Sequence, residues 1–240
     1  MKSKTHLKLR VQNLKLQRKI ILPCLGLGVS TFVMLSTESI LSISFTSSLA
    51  KFGGDVAVGA MTVLTSINQL MTMPLSGICQ GGQPLMSYNY GAKKIDRVKK
   101  AFLCQFGVCV AYTVVFWLLL MTMPNVFAGI FTSDTAIVDY TAWAIRVFLA
   151  LGFSVGFQIS CQQAFMALGQ AKISLIMALL RKVFLLIPLI FILPNFFADK
   201  AFAVYLAEPI ADIIAAAVTT FMFFRFFRKL LKEHKQAQNL

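Results

Sequence analysis

Long apolar runs alternate with short polar connections along this chain, and six of them meet or approach the roughly 20 residues a helix needs to cross the hydrocarbon layer of a bilayer. They lie near Ile20 to Leu49, Val56 to Met86, Ala101 to Met123, Ala142 to Leu168, Ile173 to Leu193 and Phe202 to Phe224. The pattern predicts an all-α membrane protein: a bundle of six transmembrane helices over residues 20–224, with basic segments at 1–19 and 225–240. The second run is long enough to tilt or bend, and Pro74 near its middle supplies a cause for a kink.

Composition agrees with this reading. Of the 240 residues, 58% are hydrophobic and only 13% charged, and the mean hydropathy is +0.75, which is more apolar surface than one soluble core uses. The net charge of +14 falls in short blocks between apolar runs instead of a continuous basic surface, so no nucleic-acid partner is expected. Cys24, Cys79, Cys104, Cys109 and Cys161 lie in or beside the predicted spans and read as small buried hydrophobes, making neither a disulfide framework nor a metal site. His6 and His234 sit in the charged tails. The basic N-terminus runs on into a long apolar segment without a small-residue cleavage site, so a cleaved signal peptide is not expected. No P-loop, G-x-S-x-G or metal-spaced histidine pair is found, and an enzyme or a bound cofactor has nothing to rest on.

The connections divide by charge. One set holds Lys2, Lys4, Lys8, Arg10, Lys15, Arg18 and Lys19, then Lys93, Lys94, Arg97, Lys99 and Lys100, then Lys172, then Arg225, Arg228, Lys229, Lys232 and Lys235. The alternate set has only Lys51 and Lys200, with Asp55, Asp134, Asp139 and Asp199. The positive-inside rule therefore puts both termini in the cytoplasm. Arg146, Arg181 and Lys182 fall inside spans but within about two turns of an interface, so their side chains are expected to snorkel to the headgroups.

Acids at bilayer depth are functional candidates, because an ionised carboxylate there costs several kcal/mol or must take up a proton. Glu38 lies near the middle of the first span, and Glu208 and Asp212 lie one turn apart in the sixth. Glu38 is the candidate ion-coupling residue, and Glu208 with Asp212 a secondary acidic site. The competing reading is structural: protonated acids fixing helix packing, with Pro209 supplying backbone groups that need partners.

Polar residues at Thr65, Gln69, Thr72, Ser76, Gln80 and Gln83 recur at three- and four-residue spacing on the second span, and Ser154, Gln158 and Gln162 form a shorter stripe on the fourth. Such stripes face either a ligand cavity or another helix. Met34, Ser42 and Phe45 flank Glu38. Methionine and aromatic groups beside an acid suit bulky apolar cations, and they equally suit packing.

The segment from Pro74 to Phe102, PLSGICQGGQPLMSYNYGAKKIDRVKKAF, carries Pro74, Gly77, Gln80, Gly81, Gln83, Pro84, Tyr88, Asn89, Tyr90, Gly91 and Ala92 before a basic block. It resembles the signature of multidrug and toxic compound extrusion (MATE) transporters at the end of their eighth helix, especially the MepA-like branch. On physical grounds Pro84 is expected to end or bend the helix and Gly91 to permit the turn. The AFMALGQAKIS and EPIADIIAA segments extend the resemblance across the chain, which is similar to helices seven to twelve of that family, its C-terminal six-helix lobe.

The resemblance implies one lobe of a two-lobe transporter that exports organic cations against proton or sodium entry by alternating access. Glu38 matches the acidic residue of the seventh helix, 15 residues before Gly53. The tenth-helix acid of some sodium-coupled members is replaced here by Gln158, Gln162 and Gln163, which weakens a sodium assignment. The family chain is about twice as long, so a six-helix N-terminal lobe or a second copy is an expected partner beside the bilayer and small cationic substrates. Residues 1–19 then read as the connection between lobes, with Met1 an internal start. A non-transporting scaffold or degenerate fragment, and a flippase for lipids or lipid-linked sugars, are the alternatives.

Overall fold

The structure is a computed structural model that describes residues 18–238, and every regular element in that range is helical. Residues 1–40 and 41–240 form two compact units. The first is helical from Arg18 onward. His6, the side chains of Cys24, Met34 and His234, and most of the basic stretch 1–19 lie outside the described residues.

Helix α1 (Arg18–Gly91) is bent at Gly54, whose φ of 69° and ψ of −165° lie in a region that is essentially glycine-only. The bend separates the first two predicted spans. Beyond it the helix passes through Pro74 and Pro84 without a non-helical residue, so neither proline ends it. The helix stops at Gly91, and the left-handed residue that turns the chain is Lys93, with φ 56°. The Lys94 N–H donates to the Asn89 carbonyl and the Lys93 N–H to that of Tyr90, which satisfies the last turn.

Helix α2 (Ile95–Thr122) is followed by the short α3 (Pro124–Phe131). The fourth predicted span differs from expectation. It is two 14-residue helices, α4 (Thr135–Phe148) and α5 (Ser154–Ala167), interrupted over 149–153. A break at bilayer depth frees carbonyls that lipid cannot satisfy, and here the Trp117 Nε1–H donates to the Leu149 carbonyl at 2.9 Å. The Gly152 Cα lies close to the Leu149 carbonyl and the Trp117 ring, where a Cβ would crowd both.

The fifth span comprises α6 (Ala171–Leu179), a π-helical segment at Leu180–Leu186, α7 (Ile187–Ile192) and a 3₁₀ turn at Leu193–Asn195. Pro188 has no N–H for the carbonyl four residues back, and just before it the Ile187 N–H reaches five residues back to Lys182. Helix α8 (Lys200–Gln238) holds Pro209 inside it and runs past the expected end at Phe224 into the basic tail. Among the described residues, four helical stretches are long and apolar enough to cross a membrane: Ser36–Gly91, Ile95–Thr122, Ala171–Asn195 and Lys200–Lys232. The bend at Gly54 makes the first long enough for more than one crossing.

Within residues 41–240, α8 packs on α4, α5 and the fifth-span helices, while α2 packs on α5. Small residues permit the closest approach, since a Cβ on Gly156 would collide with the Thr113 hydroxyl and crowd the Cys109 carbonyl. The two ends of this unit differ in chemistry. At one, Val98, Phe102, Phe165, Phe223 and Phe227 share an aromatic cluster, which brings the basic start of α2 and the basic tail together. At the other, the Lys51 and Lys200 ammonium groups stand 5.3 and 5.4 Å from the Phe52 ring centre. Within this unit the basic blocks of α2 and α8 thus share one end, and Lys51 and Lys200 the other.

Candidate functional site

Glu208 and Asp212 are four residues apart on α8, so their side chains share one helical face a turn apart. Pro209 between them removes the N–H that would meet the Tyr205 carbonyl. They lie eight and twelve residues after Lys200, or about 12 and 18 Å along a helix rising 1.5 Å per residue. That is well inside a hydrocarbon layer about 30 Å thick. Arg181 stands ten residues after Ala171, at comparable depth in the neighbouring span.

These groups meet. The Arg181 Nη2 donates to Glu208 Oε1 at 2.8 Å. Its Nε lies 2.6 Å from Asp212 Oδ1, an ion contact whose angle falls short of a hydrogen bond. The side chains retain 17%, 7% and 6% exposure for Arg181, Glu208 and Asp212. Arg181 therefore does not snorkel: the opposite charges within reach at mid-depth hold it in place more effectively than the distant headgroups. Arg146 is exposed in the last turn of α4, where a cation suits the helix dipole.

Both ion contacts of the triad cross between α8 and the 180–186 segment. Pulling those elements apart takes Arg181 from both carboxylates, so a rearrangement there needs a substitute positive charge, either a proton on the acid or a small cation. Nearby, Tyr205 is fully buried and donates from its hydroxyl to the Ala57 carbonyl at 2.8 Å, joining α8 to α1 just beyond the Gly54 bend.

Glu38 is exposed on α1 and belongs to the 1–40 unit. Within the second unit, Ser42, Gln69 and Gln80 are exposed, Phe45 is buried, and Thr72, Ser76 and Gln83 are half-buried. The Thr65 and Thr72 hydroxyls donate to the Met61 and Asn68 carbonyls of their own helix, which leaves the two glutamines as the outward hydrogen-bonding groups of that stripe. The α5 stripe turns inward. Ser154 and Gln158 are 2% exposed and Gln162 half-buried. Among the described residues, Ser154 Oγ and Gln158 Oε1 meet no hydrogen-bond partner, an arrangement that calls for internal water.

In the signature segment, Asn89 is buried and donates to the Leu85 carbonyl, while Tyr88 is 76% exposed. Pro74, Gly77, Gly81, Pro84 and Gly91 lie on exposed positions, and Tyr90 packs against the aromatic cluster. Three further residues hold the scaffold: Trp117, Tyr205 and Ser87, whose hydroxyl donates to the Ala167 carbonyl at the end of α5. Each bonds a backbone carbonyl distant in sequence, and no local spacing marks it.

The MatE family model matches residues 30–192. The multidrug export protein MepA of Staphylococcus aureus strain N315 is 24% identical over 222 residues, covering 91% of this chain and 48% of the relative. The protein of the same name from Staphylococcus saprophyticus is 23% identical over 203 residues, covering 84% and 44%. Among solved structures, a MATE protein in the bent conformation superposes with a TM-score of 0.84 at 18% identity, over 97% of this chain and 51% of that one. The outward-facing conformation of a multidrug resistance MATE family transporter gives 0.82 at 18% identity, over 96% and 52%. The chain thus spans about half the length of the relatives it matches, their C-terminal half. With its all-helical, membrane-spanning architecture and a family match over most of its length, this chain belongs to the MatE family.

Proposed function

We propose that the chain is one lobe of a cation-coupled multidrug exporter of the cell membrane, with both termini cytoplasmic. It works by alternating access with a six-helix partner lobe or a second copy of itself. The observation that carries the reading is the Arg181–Glu208–Asp212 triad, two carboxylates held at mid-depth of an apolar span. Acids at that depth mark ion pathways. Glu38 is the coupling residue, and Glu208 with Asp212 form a second acidic site whose bonds to Arg181 report the state of the lobe. Gln69 and Gln80 offer neutral, outward hydrogen-bonding groups to an organic cation. The coupling ion is a proton or a sodium ion. Exchange of one monovalent cation for one proton moves no net charge, so such a cycle is driven by the pH difference alone.

The test is ethidium efflux from vesicles holding the chain together with its partner lobe. Glu38→Gln is expected to cut pH-driven efflux at least about tenfold, about 1.4 kcal/mol of coupling, while insertion persists. Normal export by that variant in an active assembly overturns the assignment of Glu38. A scaffold gives no dye flux under any gradient, and a flippase gives flux that lipid-linked sugars inhibit.

A further inference from the structure

Helix α8 does not end with its apolar stretch. Arg225, Arg228, Lys229 and Lys232 follow at intervals of three, one and three residues, a spacing that gathers them on one side of the helix. With Phe221 and Phe224 one turn closer to the apolar stretch, they line an open basin of about 620 Å³. Arg225 stands 25 residues after Lys200, about 37 Å along the axis. A hydrocarbon layer about 30 Å thick within a bilayer of about 40–45 Å puts it at headgroup level. The Phe102, Phe223 and Phe227 packing brings the α2 block of Arg97, Lys99 and Lys100 to the same end, which adds to the positive field there.

We infer that this basin is a binding site for an anionic phospholipid, with the phosphate held by the α8 cations and the acyl chains lying along Phe221 and Phe224. A phosphate accepts charge-assisted hydrogen bonds from guanidinium groups, in bidentate form where geometry allows. Two exposed or half-buried aromatic side chains on the membrane side of the basin match an acyl chain and have no use for a soluble anion. Each basic residue near a membrane surface adds about fivefold to the affinity for anionic lipid, the equivalent of about 1 kcal/mol. The inference rests on the membrane placement of α8 and is independent of the transport reading.

The experiment is native mass spectrometry of the full chain released from nanodiscs of phosphatidylglycerol mixed with phosphatidylcholine. At least about tenfold preferential retention of phosphatidylglycerol is expected. It should fall to near parity in Arg225→Gln/Arg228→Gln/Lys232→Gln and stay unchanged in Lys51→Gln/Lys200→Gln at the opposite end. Added glycerol phosphate should not displace the lipid. Equal retention of the two lipids by the unaltered chain, full retention of selectivity in the triple variant, or complete displacement by glycerol phosphate overturns the assignment. Equal retention of the two lipids by the unaltered chain overturns the assignment even if the triple variant fails to insert.

Discussion

Arg181 Nε and Asp212 Oδ1 stand 2.6 Å apart across the packing of the 180–186 segment on α8, with 17% and 6% of their side chains exposed. Removing one partner of a buried ion pair costs about 3–5 kcal/mol, because the other charge stays behind, whereas removing all the charges is often close to neutral. Arg181→Gln is therefore expected to lower the thermal midpoint of the detergent-solubilised chain sharply. Adding Glu208→Gln and Asp212→Asn to it should restore more than half of the loss. A triple variant as unstable as the single one would mean that the triad is held by its shape and not by its charge.

The bend at Gly54 depends on a backbone conformation, not on a shortage of space, since nothing lies within 4 Å of a Cβ built there. Gly54→Ala is expected to cost about 1–3 kcal/mol from backbone strain alone. Gly77→Ala, in open space on regular helix, should be neutral or slightly stabilising through helix propensity. Comparing the two in one thermal-shift series separates the roles. Equal effects would remove the special status of the bend.

At the interruption between α4 and α5 the Leu149 carbonyl accepts from both the Trp117 indole at 2.9 Å and the Gly152 N–H at 3.0 Å. Trp117→Phe keeps an aromatic ring against Phe153, which the indole meets edge-on with centroids 5.4 Å apart, but it has no donor. The Gly152 N–H still serves the Leu149 carbonyl, so the loss is expected to be about 0.5–1.5 kcal/mol, the net worth of one hydrogen bond. It should appear as faster amide exchange confined to residues near 149–153. An unchanged exchange pattern would show that the Gly152 N–H alone is enough for the Leu149 carbonyl.

Much of this architecture was legible in the chain because membrane spanning is a rule about length and charge. The apolar runs are helices, and within residues 41–240 the basic start of α2 and the basic tail of α8 share one end while Lys51 and Lys200 share the other. What escaped the sequence depended on contacts between spans. The break at 149–153 leaves apolar residues on both sides, so hydropathy reads straight through it. Snorkelling was expected of Arg181 from its distance to an interface, but the carboxylates 27 and 31 residues further along settle its position. Ser154 and Gln158 of the α5 stripe and Gln69 and Gln80 of the α1 stripe both fall at whole helical turns yet have opposite burial. Periodicity finds a face without saying which neighbour covers it. Prolines 74 and 84 sit inside α1 without breaking its helical dihedrals, while Gly54 bends it through a dihedral pair that is essentially glycine-only.

The π-helical stretch at Leu180–Leu186 acts as a phase shift. Among the inward residues of this span, Met177, Arg181, Leu186 and Ile190 follow at steps of four, five and four. In a plain α-helix a step of five carries a side chain about 140° round the axis, which would turn either Arg181 or the Leu186 and Ile190 pair away from α8. The wider turn absorbs the extra residue, so one rod presents a cation to two acids in its first half and a dry apolar seam in its second. Register, more than composition, is what lets a single membrane helix carry both a polar contact and a packing face.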